Sequence, residues 1–163
     1  MRLTVLGLAF AHWTVACSNK RGTIRVMDIK VTLLLCEFAK VTDGLLTVVG
    51  GGWTQRGPLS TPSAVAALVS FPFSLAPRHH LFRLQLVDAD GRHVLVENAE
   101  VAFDGTIDIS PSPDSPPYAP VTIPFAFVFP LLPLEPASYS WQLLIDGSSS
   151  SAWSLPFQVL PHA

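Results

Sequence analysis

Charged side chains are scarce in this sequence, which has 163 residues, of which 10 are Lys or Arg and 12 are Asp or Glu. Together they make up 13% of the chain, whereas roughly 25% is usual for a soluble domain. Proteins that bind nucleic acid through its phosphates need clustered basic residues, and the ten here are scattered. The sequence therefore predicts no nucleic-acid partner.

Cysteine is almost absent as well, since Cys17 and Cys36 are the only two. No CxxC pair is present, and no His or Cys residues have the spacing of zinc ligands. The sequence therefore does not indicate a disulfide framework, and we expect no metal site. Cys36 lies within the apolar run 31–38, which favours a buried and chemically inert thiol.

Helical periodicity is missing from residue 27 onward. Apolar residues instead recur at every second position, in short runs separated by many of the 15 prolines and 10 glycines. This pattern predicts an all-β domain, an antiparallel two-sheet β-sandwich of about nine strands resembling immunoglobulin or fibronectin domains. A closed β-barrel is the alternative.

The predicted strands span 29–38, 45–52, 64–71, 80–88, 92–97, 100–107, 121–129, 139–146 and 152–160. The first has apolar side chains on both faces, so we expect a central strand. Pro124 interrupts strand 121–129 and has no N–H, which predicts that this strand is bulged or lies at an edge.

Turn chemistry agrees with this arrangement. Asp43-Gly44 is typical of a two-residue hairpin turn, and the aspartates near Gly91 are typical of a turn rather than of a calcium site. Residues 108–120 contain five prolines and form a long loop. The stretch from Leu134 to Tyr139 resembles the tyrosine corner of sandwich domains, in which the phenol pins the chain just before a strand.

Two other motifs have structural explanations. The run Gly50-Gly51-Gly52-Trp53 lacks the lysine and following helix of a phosphate-binding loop, so we expect a bulge at a strand end. His79, His80 and His93 fall on one predicted hairpin. Adjacent histidines on a strand point to opposite faces, so we expect surface side chains rather than metal ligands.

Residues 1–26 do not continue the strand pattern, and three interpretations remain open. They could be a secretory or lipoprotein signal ending at Cys17, a membrane anchor, or a leader produced by a misassigned start. The third is favoured because Met27 opens directly into a strand. We therefore expect a leader over 1–26 and one domain over 27–163. The domain would be cytoplasmic if translation starts at Met27, and exported or lipid-anchored at Cys17 otherwise.

Several segments carry a resemblance to a known family. They are 29–53, 80–92, 131–146 with its Pro-x-x-Tyr-x-Trp-x-Leu-x-Ile-Asp-Gly rhythm, and the closing Trp153-x-Leu-Pro-Phe. Together they resemble a bacterial family of small all-β proteins of unknown function, from about Met27 to Pro161. The resemblance implies the domain boundary and no activity.

No catalytic motif is present, so we expect neither an enzyme nor a cofactor. The function predicted is a non-catalytic protein-binding or assembly module, which a protein partner or a second copy would contact. The expected interaction surface comprises Phe125, Phe127, Phe129 and Tyr118, because not every aromatic ring of an edge strand need be buried. A carrier with an apolar cavity between sheets is the alternative, and an enzyme is the third interpretation. No membrane contact is expected unless 1–26 is a real signal or anchor.

Overall fold

The computed structural model describes residues 29–57, 62–75, 78–110, 116, 118–129 and 132–161. The predicted leader, with Cys17, lies outside the described residues. Within them the chain is all-β, with twelve strands, two single 3-10 turns and no α-helix. None of the described segments forms an apolar helix of membrane-crossing length.

The twelve strands follow one another along the described chain, and some are only two residues long. They are β1 (Lys30–Cys36), β2 (Phe38–Thr42), β3 (Leu45–Val49), β4 (Gln55–Arg56), β5 (Ser63–Phe71), β6 (Arg78–Asp88), β7 (Leu95–Val96), β8 (Ala99–Glu100), β9 (Ala102–Ile109), β10 (Val121–Phe129), β11 (Ser138–Ile145) and β12 (Ser154–Val159).

The strands form two larger sheets and two small hairpins. The three-stranded sheet has the order β1-β5-β10, and the five-stranded sheet has the order β4-β12-β11-β6-β9. Strands β2 and β3 form one hairpin and β7 and β8 the other. Every pairing is antiparallel except that of β4 with β12. No sheet of the described chain closes on itself, so the alternative of a closed barrel is wrong for these residues.

The first predicted strand, 29–38, was expected to be central, and this is wrong. The chain bends at Glu37, so the segment supplies β1 to the three-stranded sheet and then β2 to a hairpin. β1 is an end strand of its sheet among the described residues, and β5 is central. Both faces of β1 are apolar because one face packs into the main core and the other packs against the second core, which contains Cys36. They do not indicate a neighbouring strand on each side of β1.

One main core joins the two larger sheets. Aromatic rings from β10 contact rings from the five-stranded sheet: Phe129 stacks on Trp141 with centroids 4.2 Å apart, and Phe103 lies 5.8 Å from Phe127. Aliphatic side chains of β5 and β6 complete the cluster, including Val65, which is fully buried. Burying an aliphatic or aromatic side chain of this kind stabilises a fold by about 1.5–3 kcal/mol.

β10 begins and ends where the sequence predicts, at Val121 and Phe129. It pairs only with β5 among the described strands, so the edge position expected from Pro124 is confirmed. The register with β5 continues through Pro124, which lies opposite Leu68. Proline is tolerated there because an edge strand has one side on which no ladder hydrogen bond is required.

The predicted turns are confirmed. Asp43 and Gly44 connect β2 to β3 with φ values of 52° and 75°, the left-handed backbone that a two-residue hairpin turn requires. In the turn after β6, the Asp88 Oδ1 atom accepts hydrogen bonds from the backbone N–H groups of Asp90 and Arg92, each 2.9 Å long. Asp88 is therefore a turn-forming residue, as the sequence predicts.

The tyrosine corner is also present. The Tyr139 hydroxyl donates a hydrogen bond to the Glu135 carbonyl oxygen at 3.0 Å, which ties the start of β11 to the loop before it. The ring is half-buried and stacks on Phe157. Loss of solvent, followed by the nearby charges of Glu135 and Asp88, raises the pKa of the Tyr139 phenol above its ordinary value of 10.0.

Tyr139→Phe tests this corner through its pH dependence. The folded state holds the Tyr139 phenol proton more tightly than the unfolded chain does. The contribution of the protonated phenol to the free energy of unfolding is therefore complete below about pH 10, and it is lost as the pH rises through the pKa of the folded state. We expect the variant to be less stable by about 1 kcal/mol at pH 7, because a hydrogen bond is lost. The difference in free energy of unfolding between the wild type and the variant, measured with urea, should become smaller at about pH 11. An unchanged difference would contradict the assigned hydrogen bond.

A glycine on β9 makes room for an aromatic ring. Gly105 lies opposite Phe82 in the β6–β9 register. A Cβ atom at Gly105 would lie only 2.5 Å from Cε1 of Phe82. The Phe82 ring also lies against the rings of Phe125 and Phe127, at centroid distances of 5.5 and 5.7 Å, so it cannot move freely into the core.

Gly105→Ala is therefore expected to destabilise the fold by about 1–3 kcal/mol, because the new methyl group displaces a ring that is packed on its other side. Gly57→Ala is the matched control, since no described atom lies within 4 Å of its Cβ position. The control should leave stability unchanged or raise it slightly. Equal unfolding midpoints for the two variants would show that the Phe82 ring does not occupy this position.

Candidate functional site

The outer face of the three-stranded sheet, which points away from the main core, is the candidate site. On β5 it carries the alternate residues Ala64, Ala66, Leu68 and Ser70. Cross-strand pairing extends this face onto β1 and β10 in four rows, which are Cys36-Ala64-Val128, Leu34-Ala66-Ala126, Thr32-Leu68-Pro124 and Lys30-Ser70-Thr122. Small side chains dominate the first two rows, and larger or polar ones occupy the other two.

The β2–β3 hairpin covers most of the small-residue end of this face, where Val128 at the margin remains 48% exposed. A second core forms there from Cys36, Ala39, Ala64 and Ala66, with Leu46, Val48 and Ala126 packed against it. Methyl side chains on β5 let the hairpin approach closely. Burial raises the pKa of the Cys36 thiol, and its Sγ atom lies 3.4 Å from the Ala64 carbonyl oxygen. The predicted burial of Cys36 is confirmed.

The glycine run at the end of β3 is fitted to the same packing. Gly50 and Gly52 have φ values of 61° and 95°, a backbone in which other residues are strained. A Cβ atom at Gly51 would lie 2.9 Å from a methyl carbon of Leu34. The run therefore turns the chain tightly beside β1, and Trp53 packs against the main core. The glycines thus lie just after the end of β3, as a turn of the chain rather than as the predicted bulge within a strand pair.

Beyond the hairpin Leu68 remains 40% exposed. Leu34, in the row of Ala66 at the margin of the hairpin, is 37% exposed. Pro124 lies beside Leu68 and is half-buried. At the next row the Thr122 hydroxyl donates to the Ser70 hydroxyl at 3.0 Å, so the apolar strip ends on a pair of hydroxyl groups. The open half of this face therefore presents Leu68 and Pro124 among polar side chains, whereas the opposite face of the same sheet packs against the main core.

A shallow cleft lies at the open end of this face. It has a volume of about 260 Å³. Its walls come from the start of β1, from the end of the β5–β10 ladder at which β5 ends and β10 begins, and from the segments just beyond that end: Lys30, Ser70, Pro72, Phe73, Tyr118 and Pro120. Two aromatic rings, two prolines, one serine hydroxyl and one cation therefore line one concave surface.

Tyr118 is the most exposed large side chain of the cleft, at 82%. Its φ of 67° is left-handed, a conformation that costs a residue with a side chain about 1–3 kcal/mol. The ring rests against Phe73 with centroids 5.6 Å apart and planes at 71°, so the two rings form an open corner. An aromatic ring held outward on a strained backbone is expected where a binding partner contacts it.

Lys30 supplies the formal charge of the cleft. Lys30, Ser70, Pro72, Phe73, Tyr118 and Pro120 are the described residues that line it, and none of them carries a carboxylate. The ion pairs of the described chain involve Arg83, Arg92 and three histidines, and none of them includes Lys30. The ammonium group therefore remains available to an anionic group of a ligand.

The interaction surface predicted from the sequence is only partly formed. Phe127 and Phe129 are 7% and 2% exposed and belong to the main core, so their prediction as surface residues is corrected. Phe125 is half-buried and stacks on Phe127. All three point inward because the odd-numbered residues of β10 face the five-stranded sheet. Tyr118 alone of the four lies on an exposed surface.

The other residues of the site were not predicted. Leu68 could have been found from the alternation in 64–70, where alanines on one face give way to a leucine. Phe73 lies next to Pro72 just after a strand, a position from which a ring can extend past the sheet. Lys30 carried no signal, since a lysine at the start of a strand is ordinary.

The histidines lie elsewhere, and one of them corrects the expectation of surface side chains. His80 is 2% exposed. Its Nδ1 atom lies 2.6 Å from Oδ2 of Asp146, whose Oδ1 accepts the backbone N–H of Leu81. The ring stacks on Phe71. This pair fastens the turn after β11 to β6, and so has a structural role. No group of three or more His, Cys, Asp or Glu side chains within the described ranges is arranged to hold a metal ion.

The exposed ion pairs lie on the opposite side of the molecule from the outer face. Arg83 on β6 pairs with Glu100 and with Asp104, at 3.1 Å from the latter. His79 pairs with Asp108 on β9. These contacts connect neighbouring strands across the polar face of the five-stranded sheet and place no nucleophile beside a base.

Comparison with known proteins gives a family and no activity. The search of curated proteins returned no match. Residues 31–160 match the sequence model of a family described as "Family of unknown function (DUF6941)". This range lies inside the resemblance predicted from about Met27 to Pro161, and it covers most of the chain, both larger sheets and the outer face. The chain therefore belongs to this family of unknown function.

Proposed function

We propose that this chain is a non-catalytic protein-binding module whose contact surface is the uncovered outer face of the three-stranded sheet. The observation that carries the proposal is the exposure of Leu68, beside the half-buried Pro124, on a face whose other end packs under the chain's own hairpin. Exposed apolar side chains on a chain with few charges favour association with another protein.

We also propose that the framework is a two-sheet sandwich related to immunoglobulin-like and fibronectin-like domains. Two features support this: a core shared between the two larger sheets, and the tyrosine corner at Tyr139. In such a framework, one outer face can bind a partner while the inner faces remain packed. The cytoplasm is the compartment proposed for a chain translated from Met27, with export or anchoring at Cys17 as the alternative.

A face is better suited to this role than a sheet edge. Strand addition needs an edge with unobstructed backbone groups. β9 presents the exposed carboxylates of Asp104 and Asp108, and β10 contains Pro124. Charges and proline on an end strand discourage pairing with another chain. The carrier alternative has less support, because stacked rings such as those of Phe129 and Trp141 fill the space between the sheets.

Leu68→Asp, with Leu81→Asp as its matched control, tests the proposal. Both leucines are exposed on strands, but Leu81 lies on β6 in the other sheet. We expect affinity purification from the native cells to recover a partner with the wild type and the control, and to lose it with Leu68→Asp. A charge at the centre of an apolar contact costs more than 1 kcal/mol, hence about fivefold or more in affinity.

Light scattering over a concentration series covers the case in which the partner is a second copy. Self-association that Leu68→Asp abolishes and Leu81→Asp preserves would support the proposal. A partner that is retained by Leu68→Asp, or lost equally with both variants while both unfold at the wild-type temperature, would contradict it.

A further inference from the structure

We propose that the cleft at the open end of the outer face binds an extended peptide segment in which a proline lies next to an acidic residue. This rests on the proposed function, since it names the chemistry of the protein segment that the face receives. The carrying observation is the combination, in one concave surface, of an aromatic corner and an unneutralised cation.

The apolar half of the cleft selects the proline. Phe73 and Tyr118 meet at 71° with their centroids 5.6 Å apart, and Pro72 and Pro120 flank them. The rings are in edge-to-face contact, so a pyrrolidine ring would pack against the exposed face of Tyr118 rather than between them. Aromatic-lined grooves bind proline-rich segments well because an extended proline segment loses little conformational entropy on binding.

The polar half of the cleft selects the acid. Lys30 is exposed at one wall, with the hydroxyl of Ser70 beside it on the neighbouring strand. An ammonium group and a hydroxyl group can both donate to a carboxylate. No acidic side chain is among the described residues that line the cleft. A carboxylate is therefore favoured at this wall, and a basic residue is disfavoured.

The edge-to-face contact of Tyr118 with Phe73 orders part of the site before a ligand binds. A side chain that already has a packing partner loses less freedom on binding than one that must be ordered. Leu68 and Pro124 continue the apolar surface along the sheet, so a segment that leaves the cleft can run over the exposed strip. The cleft thus supplies specificity, and the strip supplies further contact area.

The test uses the full-length purified protein and three arrays of capped ten-residue peptides. Every peptide has a central proline, flanked by Asp or Glu in the first array, by Asn or Gln in the second, and by Lys or Arg in the third. We expect binding to the first array, measured as dissociation constants by fluorescence polarisation. Tyr118→Ala should weaken it about tenfold, as removal of an aromatic anchor does.

Charge reversal distinguishes recognition by the polar wall of the cleft from nonspecific apolar binding. Lys30→Glu should weaken binding to the acidic peptides by about fivefold or more and shift preference toward the basic array. Lys40→Glu is the control, because Lys40 is also an exposed strand lysine but lies on the β2–β3 hairpin. The control should leave the preference unchanged.

A photo-crosslinker at the cleft identifies the occupant. Phe73→p-benzoylphenylalanine should crosslink to the acidic peptide. Crosslinking to residues 1–28 of the same chain, or to a second copy, in the presence of saturating peptide would overturn the proposal. So would a preference for the neutral or basic array, or binding insensitive to Tyr118→Ala. If none of the peptide arrays binds, but Leu68→Asp still abolishes binding of a native partner, the protein-binding function stands. Only the proposed peptide chemistry is then wrong.

Discussion

β5 is packed on both of its faces, and each face requires side chains of a different size. Toward the five-stranded sheet it presents Val65, Val69 and Phe71, which help to fill the main core. Away from that sheet it presents alanines, over which a hairpin lies, and then Leu68 and Ser70. Neighbouring residues of a strand point to opposite faces. The nine residues of β5 therefore carry mostly large side chains for one face and mostly small side chains for the other in alternation.

The candidate site follows from the limited length of the hairpin. β2 and β3 have five residues each, and their packing protects only the end of the outer face that contains the alanines. The larger and more polar residues of β5 lie beyond it and continue into the cleft formed with Phe73 and Tyr118. The same side-chain pattern therefore defines where the molecule closes over itself and where a surface stays open to another molecule.

The local structure could be predicted from the sequence at positions where the residue type strongly favours one backbone conformation. Asp43-Gly44 defined a hairpin, and Pro124 identified an edge strand. The Tyr139 corner was also predictable, because its hydrogen bond spans only four residues. The family resemblance is confirmed over 31–160. These features depend on neighbours in the chain, which a sequence displays directly.

Features that depend on distant segments were predicted less well. The sequence predicted exposed phenylalanines on an edge strand, but an end strand can still turn a full face inward, as β10 does with Phe127 and Phe129. Apolar residues on both faces of β1 suggested a central strand, although a hairpin layer accounts for the second face. His80 gave no sign of burial because its partner, Asp146, lies 66 residues away.

Thiol labelling along β5 tests the central claim most directly, which is that the hairpin covers one half of the outer face and leaves the other half open. Single variants Ala66→Cys and Leu68→Cys place a thiol two residues apart on the same face, and peptide mass mapping separates each from Cys17 and Cys36. The account predicts fast labelling at position 68 and labelling at least about tenfold slower at position 66, where local opening must come first. Equal rates at the two positions would contradict it.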